Sequence, residues 1–361
     1  LDLNSMEGRT LEVDGSLFEG GGQIVRVSLC LAIIKGIPVT IRNIRAGRPN
    51  PGLARSHLTS VELLRDICNG ELRGGHLQSS ELTLIPGPIR GGIYSVDCHS
   101  AGSISLIFQA ILPVLYKTNS EVTIRGGTDV SHSPPTHFIE NVLQPILARI
   151  GVNFDYSVKS FGFYPRGGGE VLLKIEPSES LTGIELVESG GHPRYFGELL
   201  YCRNRKRRKG DIGDDEYLNR ITKAAKNELG ISGGKINIRE ADGLSRCVVT
   251  NFWAVTENGN ILHNSDIESF NSKQNPKPEE TVSKIASELE EQVNSGACVD
   301  DYLQDQLLIF LSMAQSPSVI KIHSLTQHSI AVINLITQVG LASITVEGNI
   351  MRIEPRNELS T

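Results

Sequence analysis

The sequence lacks the long apolar segments and the paired cysteines that mark membrane proteins and disulfide-bonded secreted proteins. No run approaches the ~18 apolar residues of a membrane-spanning helix, and the segment 1–10 is polar. The six cysteines are widely separated and form no C-x-x-C pair, so their spacing indicates neither a zinc site nor a disulfide framework. These absences predict an intracellular protein without a membrane partner, whose thiols are reduced and mostly buried.

An excess of positive charge is lacking as well. The chain has 35 Lys and Arg against 41 Asp and Glu, a formal net charge of -6. Proteins that coat nucleic acid without specificity neutralise many phosphates, so any RNA contact is expected to be local. One segment is strongly basic, 203–209, with six basic residues in seven. A solvated loop, a nuclear-import signal and an RNA-facing patch are all open interpretations of it.

Two common nucleotide motifs are missing, although the sequence has a glycine-rich turn. The segment 19–23 (EGGGQ) stands between a predicted strand at 11–14 and a predicted helix at 22–34. No Gly-Lys-Ser/Thr follows the glycines, and there is no G-x-G-x-x-G, which disfavours P-loop kinases and dinucleotide enzymes. Because glycine has no side chain, such a turn lets backbone amides approach an anion; a purely structural turn is the alternative.

Three arginines follow within ~25 residues of the turn: Arg26, Arg45 and Arg48. The planar fork of arginine suits phosphate oxygens better than the point charge of lysine. Their alternative roles are surface solvation or ion pairing. Together with the glycine turn they predict a phosphorylated ligand.

The hydrophobic periodicity predicts an α/β (α+β) fold built from repeated βαβαββ units. The first unit is predicted to end with strands at 82–85 and 93–96, and the pattern restarts with a helix at 101–115, a strand at 121–125, a helix at 134–150 and two strands. The tetrapeptide VTIR occurs at 39–42 and again at 122–125, each time before a Gly- and Pro-containing loop and a helix. A third, partial copy is predicted near the C-terminus.

The segment 181–295 interrupts the repeat with strands and helices of its own. We therefore predict two domains in the 361 residues: a large one from 1–180 plus 296–361, and a smaller inserted α+β domain from 181–295. His328 follows the predicted strand 319–323 and stands where a helix begins. Side chains at strand ends project into clefts, which makes His328 a candidate catalytic residue, with helix capping or packing as the alternative.

Several ordered motifs together resemble the RNA 3'-terminal phosphate cyclases. They are 14–15 (DG), 19–23 (EGGGQ), 44–48 (IRAGR) with 51–53 (PGL), 100–103 (SAGS), 126–129 (GGTD) with 134–135 (PP), 165–169 (PRGGG), Tyr302, 305–307 (DQL) and His328. The resemblance spans both ends of the chain. It implies a scaffold similar to that of the enolpyruvyl transferases with an inserted small domain, in agreement with the organisation above.

The activity that this resemblance implies is ATP-dependent conversion of an RNA 3'-phosphate end into a 2',3'-cyclic phosphate. Three steps are implied: a histidine takes AMP from ATP and releases pyrophosphate, AMP passes to the RNA 3'-phosphate, and the ribose 2'-hydroxyl displaces AMP. ATP, Mg²⁺ (or Mn²⁺) and RNA 3'-phosphate ends are the expected cofactors and partners. The expected location is the nucleus, with the cytoplasm as a second site, while the oligomeric state stays open.

The resemblance also assigns roles to individual residues. His328 corresponds to the nucleophile, Arg26, Arg45 and Arg48 would stabilise phosphate charge, and Glu19 is the candidate metal ligand, with helix capping as its alternative. The implied nucleotide site consists of Glu19, Gln23, Gln109, Pro134, Tyr302, Asp305 and Gln306, with Pro134 and Tyr302 bracketing the adenine. Tyr302 is otherwise an ordinary, partly buried side chain. His57 is a weaker candidate for facing the RNA end.

Two other functions are compatible with parts of the pattern. The cyclase-like ribosome-assembly proteins share the scaffold without being enzymes, but they lack the histidine and most of the arginine and glycine motifs found here. An enolpyruvyl transferase would share the repeat, yet it should lack the late DQL and His elements.

Overall fold

The first repeat unit forms one four-stranded sheet covered by two helices. The computed structural model describes residues 10–18, 20–203, 213–231, 235–270 and 277–356. The elements of this unit are β1 (Leu11–Asp14), α1 (Gly22–Lys35), β2 (Val39–Arg42), α2 (Arg55–Ile67), β3 (Glu71–Arg73) and β4 (Leu82–Ile85). The strand order is β1-β2-β4-β3, with β1 parallel to β2 and β4 antiparallel to both of its neighbours. Helix α1 supplies the crossover that the parallel pair requires.

The second unit repeats this topology. Its elements are β5 (Ile93–Asp97), α3 (Ile104–Leu115), β6 (Ser120–Gly126), a helical run α4 made of Thr136–Phe138, Ile139–Leu143 and Gln144–Ile150, β7 (Asn153–Ser160) and β8 (Gly169–Glu176). The order β5-β6-β8-β7 matches that of the first sheet position by position. The two VTIR copies therefore occupy equivalent strands, β2 and β6, in the middle of their sheets.

Two details of this region differ from the sequence prediction. The strand at Ile93 was expected to close the first unit, but it pairs in parallel with β6 and opens the second. The first unit ends instead with β3 and β4, and the sequence prediction missed β3, whose three residues are largely exposed and so give little hydrophobic periodicity. The single helix expected at 134–150 contains a wider π turn at Ile139–Leu143, just before Pro145, which has no N–H to donate to the turn before it.

The third unit is split by the inserted region. Strand β9 (Glu185–Leu186) comes first, and the inserted elements follow: β10 (Arg194–Cys202), α5 (Asp214–Leu229), β11 (Ile236–Glu240), β12 (Cys247–Val255), β13 (Ile261–Ser269) and α6 (Pro278–Asn294). The unit then resumes with α7 (Leu303–Ser312), β14 (Ser318–Lys321), α8 (Gln327–Val339), β15 (Ala342–Glu347) and β16 (Ile350–Pro355). Its order, β15-β16-β14-β9, is again the same topology.

Strand β9 lies on the inserted side of the expected boundary at residue 181, yet it pairs in parallel with β14 of the large domain. It has two residues, too few for any period to be visible in the sequence. The inserted elements form a separate sheet of order β11-β10-β12-β13, in which β13 was not expected from the sequence.

Each part of the chain has its own hydrophobic core. In the large domain α1 is buried on almost every side, because it packs against α2, α3 and α8. In the inserted region α5 and α6 cover one face of the sheet around Tyr217, Phe252 and Leu289. Among the described helices none has the length and apolarity needed to cross a membrane. The central position of α1 fixes its first turn, where the candidate site begins.

Candidate active site

Three side chains crowd together at the start of α1. An ideal Cβ placed on Gly22 would lie 2.2 Å from Nε2 of His57 and 2.8 Å from Nη1 of Arg26, so a side chain at position 22 would displace these two groups. An ideal Cβ on Gly21 would lie 3.5 Å from Nη2 of Arg48. The glycines thus allow a histidine and two arginines to approach the same backbone turn.

Helix α8 presents His328 at its second residue. The helix is capped by Thr326, whose hydroxyl accepts a hydrogen bond from the N–H of Ser329 at 3.1 Å. Buried Gln304 of α7 fixes this cap: its Nε2 donates to the carbonyl of Ser324 at 3.1 Å, and its Oε1 accepts from Oγ of Ser329 at 2.8 Å. The exposed imidazole of His328 therefore projects from a helix N-terminus that these hydrogen bonds hold in place.

A chain of hydrogen bonds connects α8, α1 and α7. Nδ1 of His328 lies 2.6 Å from Oε1 of Gln23, and Nε2 of Gln23 donates to Oδ2 of Asp305 at 2.7 Å. An amide oxygen can only accept, so Nδ1 carries the proton in this contact, and Nε2 is the ring nitrogen that does not face Gln23. Burial raises the pKa of Asp305 to about 6, and the attraction of His328 opposes that rise.

Arg26 is buried within reach of Asp305, the acidic end of these hydrogen bonds, with 9% of its surface exposed. Burial lowers the pKa of Arg26 to about 10, and the attraction of Asp305 opposes that shift. The guanidinium is therefore still charged at neutral pH. A buried cation at the floor of a cleft favours an anionic ligand, because few water molecules screen it there.

His57 adds a neutral group between two arginines. Burial first, and then the charges of Arg26 and Arg45, lower the pKa of His57 to about 4. Its Nδ1 is buried and has no hydrogen-bond partner among the described residues. At neutral pH this imidazole adds no positive charge, and one buried nitrogen is available to a ligand.

The two arginines of the segment 44–48 are placed differently. Nη1 of Arg45 donates to the carbonyls of Asn50 and Gly52 at 2.8 and 2.9 Å, which fixes the loop that carries it. Arg48 is exposed and directs its guanidinium towards Gly21. The sequence suggested one role for both, whereas the geometry gives Arg45 a bracing position and Arg48 a cleft-facing one.

These side chains open onto one cleft of about 770 Å³. The predicted residues that line it are Gln23, Arg26, Arg48, Gln109, Pro134, Tyr302, Asp305, Gln306 and His328. Tyr302 is 44% exposed, whereas Pro134 is buried. The structure thus brings together residues from α1, α3, α7, α8 and the loop before α4, and their individual roles stay predictions.

Among the described residues, only one end of the side-chain amide of Gln306 has a hydrogen-bond partner. Its Nε2 donates to the carbonyl of Tyr302 at 2.8 Å, while its buried Oε1 has no hydrogen-bond partner in the described part of the chain. Leaving a buried acceptor unpaired costs about 1–3 kcal/mol. The amide oxygen is therefore available to an amino or hydroxyl group of a ligand.

Sequence reasoning missed the contribution of the inserted region. Asp266 of β13 and Lys284 and Glu288 of α6 also line the cleft, so both the repeat units and the inserted region contribute to it. None of the three belongs to a motif, and only the packing of the inserted sheet places them there. Phe18 and Leu17, two exposed apolar residues just before the glycine turn, were also missed.

Two predictions fall on residues that the structure does not describe. Glu19, the predicted metal ligand, lies outside the described residues, as does the segment 204–209 of the basic run. In the described ranges no group of three or more His, Cys, Asp or Glu side chains is arranged to hold a metal ion. The predicted metal therefore stays a prediction.

Comparison with known proteins identifies the family. The family model of RNA 3'-terminal phosphate cyclase matches residues 17–346. The chain belongs to the RNA 3'-terminal phosphate cyclase family. That match begins before the glycine turn and ends beyond His328, so it includes every residue of the cleft named above.

Curated relatives agree with this assignment over nearly the whole chain. The chain is 34% identical over 336 residues to an RNA 3'-terminal phosphate cyclase of Drosophila melanogaster, covering 91% of each protein. It is 36% identical over 346 residues to an RNA 3'-terminal phosphate cyclase of Nostoc punctiforme, covering 93% of this chain and 96% of that protein. The family is one of enzymes, and the resemblance found in the sequence is confirmed.

A solved structure, the enolpyruvyl transferase NikO from Streptomyces tendae, aligns with 96% of this chain and 66% of its own, at 9% identity and a TM-score of 0.26. Similarity at that level supports no conclusion by itself. The repeated βαβαββ architecture follows from the three matching strand orders.

Proposed function

We propose that this protein is an ATP-dependent cyclase that converts an RNA 3'-phosphate into a 2',3'-cyclic phosphate through a histidine–AMP intermediate. The observation that supports the proposal is the hydrogen bond of 2.6 Å between Nδ1 of His328 and Oε1 of Gln23, beside a buried arginine. It assigns the Nδ1 proton to the contact with Gln23, so Nε2 is the ring nitrogen that would attack, at a cleft that favours anions. This is the arrangement that nucleophilic attack on phosphorus requires.

In the first step Nε2 of His328 attacks the α-phosphorus of ATP, the bond from that phosphorus to the bridging oxygen breaks, and pyrophosphate leaves. The Nδ1 proton stays on the ring, whose developing positive charge strengthens the hydrogen bond to Gln23. Arg26 and Arg48 stabilise charge on the phosphate oxygens. One such donor typically contributes ~3 kcal/mol to lowering a barrier.

In the second step an oxygen of the RNA 3'-phosphate attacks the same phosphorus and the P–N bond to His328 breaks. In the third step the neighbouring 2'-hydroxyl oxygen bonds to the 3'-phosphorus, AMP leaves with the bridging oxygen, and the hydroxyl proton is released. Neutral His57 is placed to accept or donate a hydrogen bond at the RNA end without adding charge.

The adenosine of ATP is proposed to bind between Tyr302 and Pro134. The exposed side chain of Tyr302 offers a flat surface, and Gln306, whose Nε2 donates to the backbone carbonyl of Tyr302, has an Oε1 without a partner among the described residues that would accept a hydrogen bond from an amino or hydroxyl group. A polar acceptor next to an aromatic face is typical of sites that bind a nucleoside.

Mg²⁺ (or Mn²⁺) is proposed to neutralise phosphate charge when ATP binds. Because the described residues provide no cluster of three ligands, the ion would be held mainly by phosphate oxygens with one protein carboxylate, Glu19. Mg²⁺ commonly binds in this way, and it rarely occupies sites made entirely of protein groups. Chelation with EDTA is expected to stop transfer of AMP to the protein.

Incubation with ATP labelled in the α-phosphate tests the proposal. The wild-type protein should acquire a label that is stable to base and labile to acid, as expected of a phosphoramidate, and should make an RNA 3'-phosphate resistant to phosphatase. The His328→Ala variant should acquire no label. A label retained by that variant would exclude His328 as the nucleophile.

We further propose a nuclear location, directed by the basic run at 203–209. The measurement is the distribution of a fluorescent fusion with this run intact or with its lysines and arginines replaced by glutamine. An unchanged distribution would contradict the role of the run.

A further inference from the structure

Phe18 combines a backbone conformation that disfavours phenylalanine with an exposed ring in the cleft. Its φ is 56°, in the left-handed region, and 40% of its surface is exposed. Six other described non-glycine residues have positive φ, and all six are polar or charged: Asn43, Arg45, Asn69, Gln78, His99 and His132. Phe18 is thus the one hydrophobic residue in this conformation within the described ranges.

The turn that contains Phe18 normally selects small or polar residues. The N–H of Gly20 donates to the carbonyl of Leu17 at 2.9 Å, which makes Phe18 the second residue of a β-turn. The residues that adopt positive φ at the second position of a β-turn are mostly Gly, Asn and Asp. Asn and Asp can also offset the cost through hydrogen bonds to the nearby backbone, which a hydrocarbon ring cannot do.

The rest of the turn is fixed by its own hydrogen bonds. The carboxylate of Asp14 accepts from the N–H of Ser16 at 2.9 Å and from its hydroxyl at 2.6 Å, and the N–H of Leu17 donates to the carbonyl of Asp14 at 3.2 Å. The conformation of Phe18 therefore belongs to a defined turn. Since the ring stays substantially exposed, burial of apolar surface compensates the strain only in part, and strained residues of this kind cluster at ligand sites.

Phe18 belongs to the first repeat unit, as do three other residues that line the same cleft. Gly21 directly precedes α1, Arg48 lies in the loop after β2, and His57 lies in the first turn of α2. The residues proposed for adenosine, Tyr302 and Gln306, come from the third unit. An exposed aromatic ring and an arginine in one cleft are the combination that recognition of single-stranded nucleic acid uses, because the ring can stack on a base while the arginine binds a phosphate.

We propose that the ring of Phe18 is the stacking platform for the 3'-terminal base of the RNA, while Arg48 holds the terminal phosphate. This inference rests on the proposed function and assigns to its site a binding residue that positions the RNA. Stacking on an aromatic ring accepts every base, so Phe18 contributes affinity for a terminal nucleotide with little preference for its identity.

The test compares Phe18→Gly, Phe18→Leu and Phe18→Tyr with the wild-type protein. The primary measurement is the Kd of a fluorescent RNA 3'-phosphate by anisotropy, which requires no catalysis. We expect Phe18→Gly and Phe18→Leu to weaken binding about 5- to 150-fold, as for loss of ~1–3 kcal/mol of stacking, and Phe18→Tyr to retain it. Asn69→Gly, at another residue with positive φ outside the cleft, is the matched control and should bind normally.

A second RNA has an abasic 3'-terminal ribose that carries the 3'-phosphate. Comparing the two RNAs on wild-type and Phe18→Gly proteins makes a double-mutant cycle between the base and the ring. The wild-type protein should lose the same factor on this RNA, and Phe18→Gly should lose almost nothing further. The KM for ATP in the transfer of AMP to Phe18→Gly, measured without RNA, shows whether the ring contacts the nucleotide instead of the RNA base.

Several results would overturn the inference. They are an unchanged Kd in Phe18→Gly, full binding by Phe18→Leu, equal losses on the abasic RNA by both proteins, or a raised KM for ATP in the first step, which would assign the ring to the nucleotide. Lower thermal stability of Phe18→Gly would show that the ring is structural. A wild-type protein that binds RNA but takes up no AMP would refute the proposed function and leave the stacking result valid.

Discussion

Gln23 and His328 are 305 positions apart in the sequence, and their side chains meet at 2.6 Å between Oε1 and Nδ1. Gln23 lies in the first turn of α1 and His328 in the first turn of α8, and the two helices pack against each other. The contact sets the tautomer of the imidazole, because the amide oxygen accepts the Nδ1 proton. Its orientation is in turn fixed by Asp305, which accepts from the other end of the same amide.

Replacing Gln23 should change both the rate of AMP transfer to the protein and its pH dependence. Gln23→Ala removes the acceptor that stabilises the developing imidazolium and should slow transfer ~10- to 100-fold, the value of a hydrogen bond to a charged group. Gln23→Glu also removes the Nε2 donor and places a carboxyl group against Asp305. Because two carboxyls at this distance cannot both be ionised, they share a proton, and the acid limb of the pH–rate profile should shift. An unshifted pH–rate profile would show that Gln23 does not influence the reacting nitrogen of His328.

The two arginines of the segment 44–48 should give different phenotypes. Arg48→Ala removes a cleft-facing charge and should slow cyclisation ~100-fold or more without lowering the melting temperature. Arg45→Ala removes hydrogen bonds to the carbonyls of Asn50 and Gly52 and should lower both activity and stability, the latter by about 1–3 kcal/mol. Thermal melts and single-turnover rates distinguish the two. Equal loss of stability in both variants would refute the distinction.

A methyl group at position 22 should disturb the cleft selectively. In Gly22→Ala the new Cβ would overlap His57 and crowd Arg26, so one of them must move, and we expect at least a ~10-fold loss of activity. In Gly47→Ala, the matched control, no atom lies within 4 Å of the new Cβ, and activity should be unchanged. Comparable activity of the two variants would mean that His57 and Arg26 tolerate displacement.

Asp300 should be important for stability and not for chemistry. It is fully buried, and its carboxylate accepts from the N–H groups of His263, Tyr302 and Leu303 at 3.1, 3.0 and 2.7 Å. Asp300→Ala leaves these donors without an acceptor and should lower the free energy of unfolding by about 2–4 kcal/mol in denaturant titrations. Glu347→Ala, at the exposed end of β15, should change it by less than ~0.5 kcal/mol.

Asp305 should make stability depend on pH in a defined window. Its pKa in the folded protein is about 6, above the ordinary value of 3.8, so between these values the folded protein binds a proton that the unfolded chain has released. Stability attributable to this group therefore falls as pH rises from about 4 to 6 and is constant outside that range. Asp305→Asn cannot titrate and should gain stability relative to the wild type across this window. A constant difference between the two in denaturant titrations would contradict the assignment.

Local properties of the chain were predictable from the sequence. Apolar periodicity located α1, α2 and α3, and the repeated VTIR segments indicated equivalent strands, because a helix or strand leaves its period in adjacent residues. The glycine turn, the arginine segment and the helix start at His328 were recognisable as an ordered set of motifs. That set identified the family without any knowledge of which side chains touch.

The tertiary structure decided which of these residues meet and in what role. It paired Gln23 with His328, gave Arg45 and Arg48 different positions, and brought Asp266 and Lys284 of the inserted region to the cleft. It also assigned the short strands β3 and β9 to their sheets. The physical reason is range: periodicity, caps and turns depend on neighbours within a few positions, whereas a hydrogen bond between α1 and α8 depends on how the helices and sheets of the large domain pack.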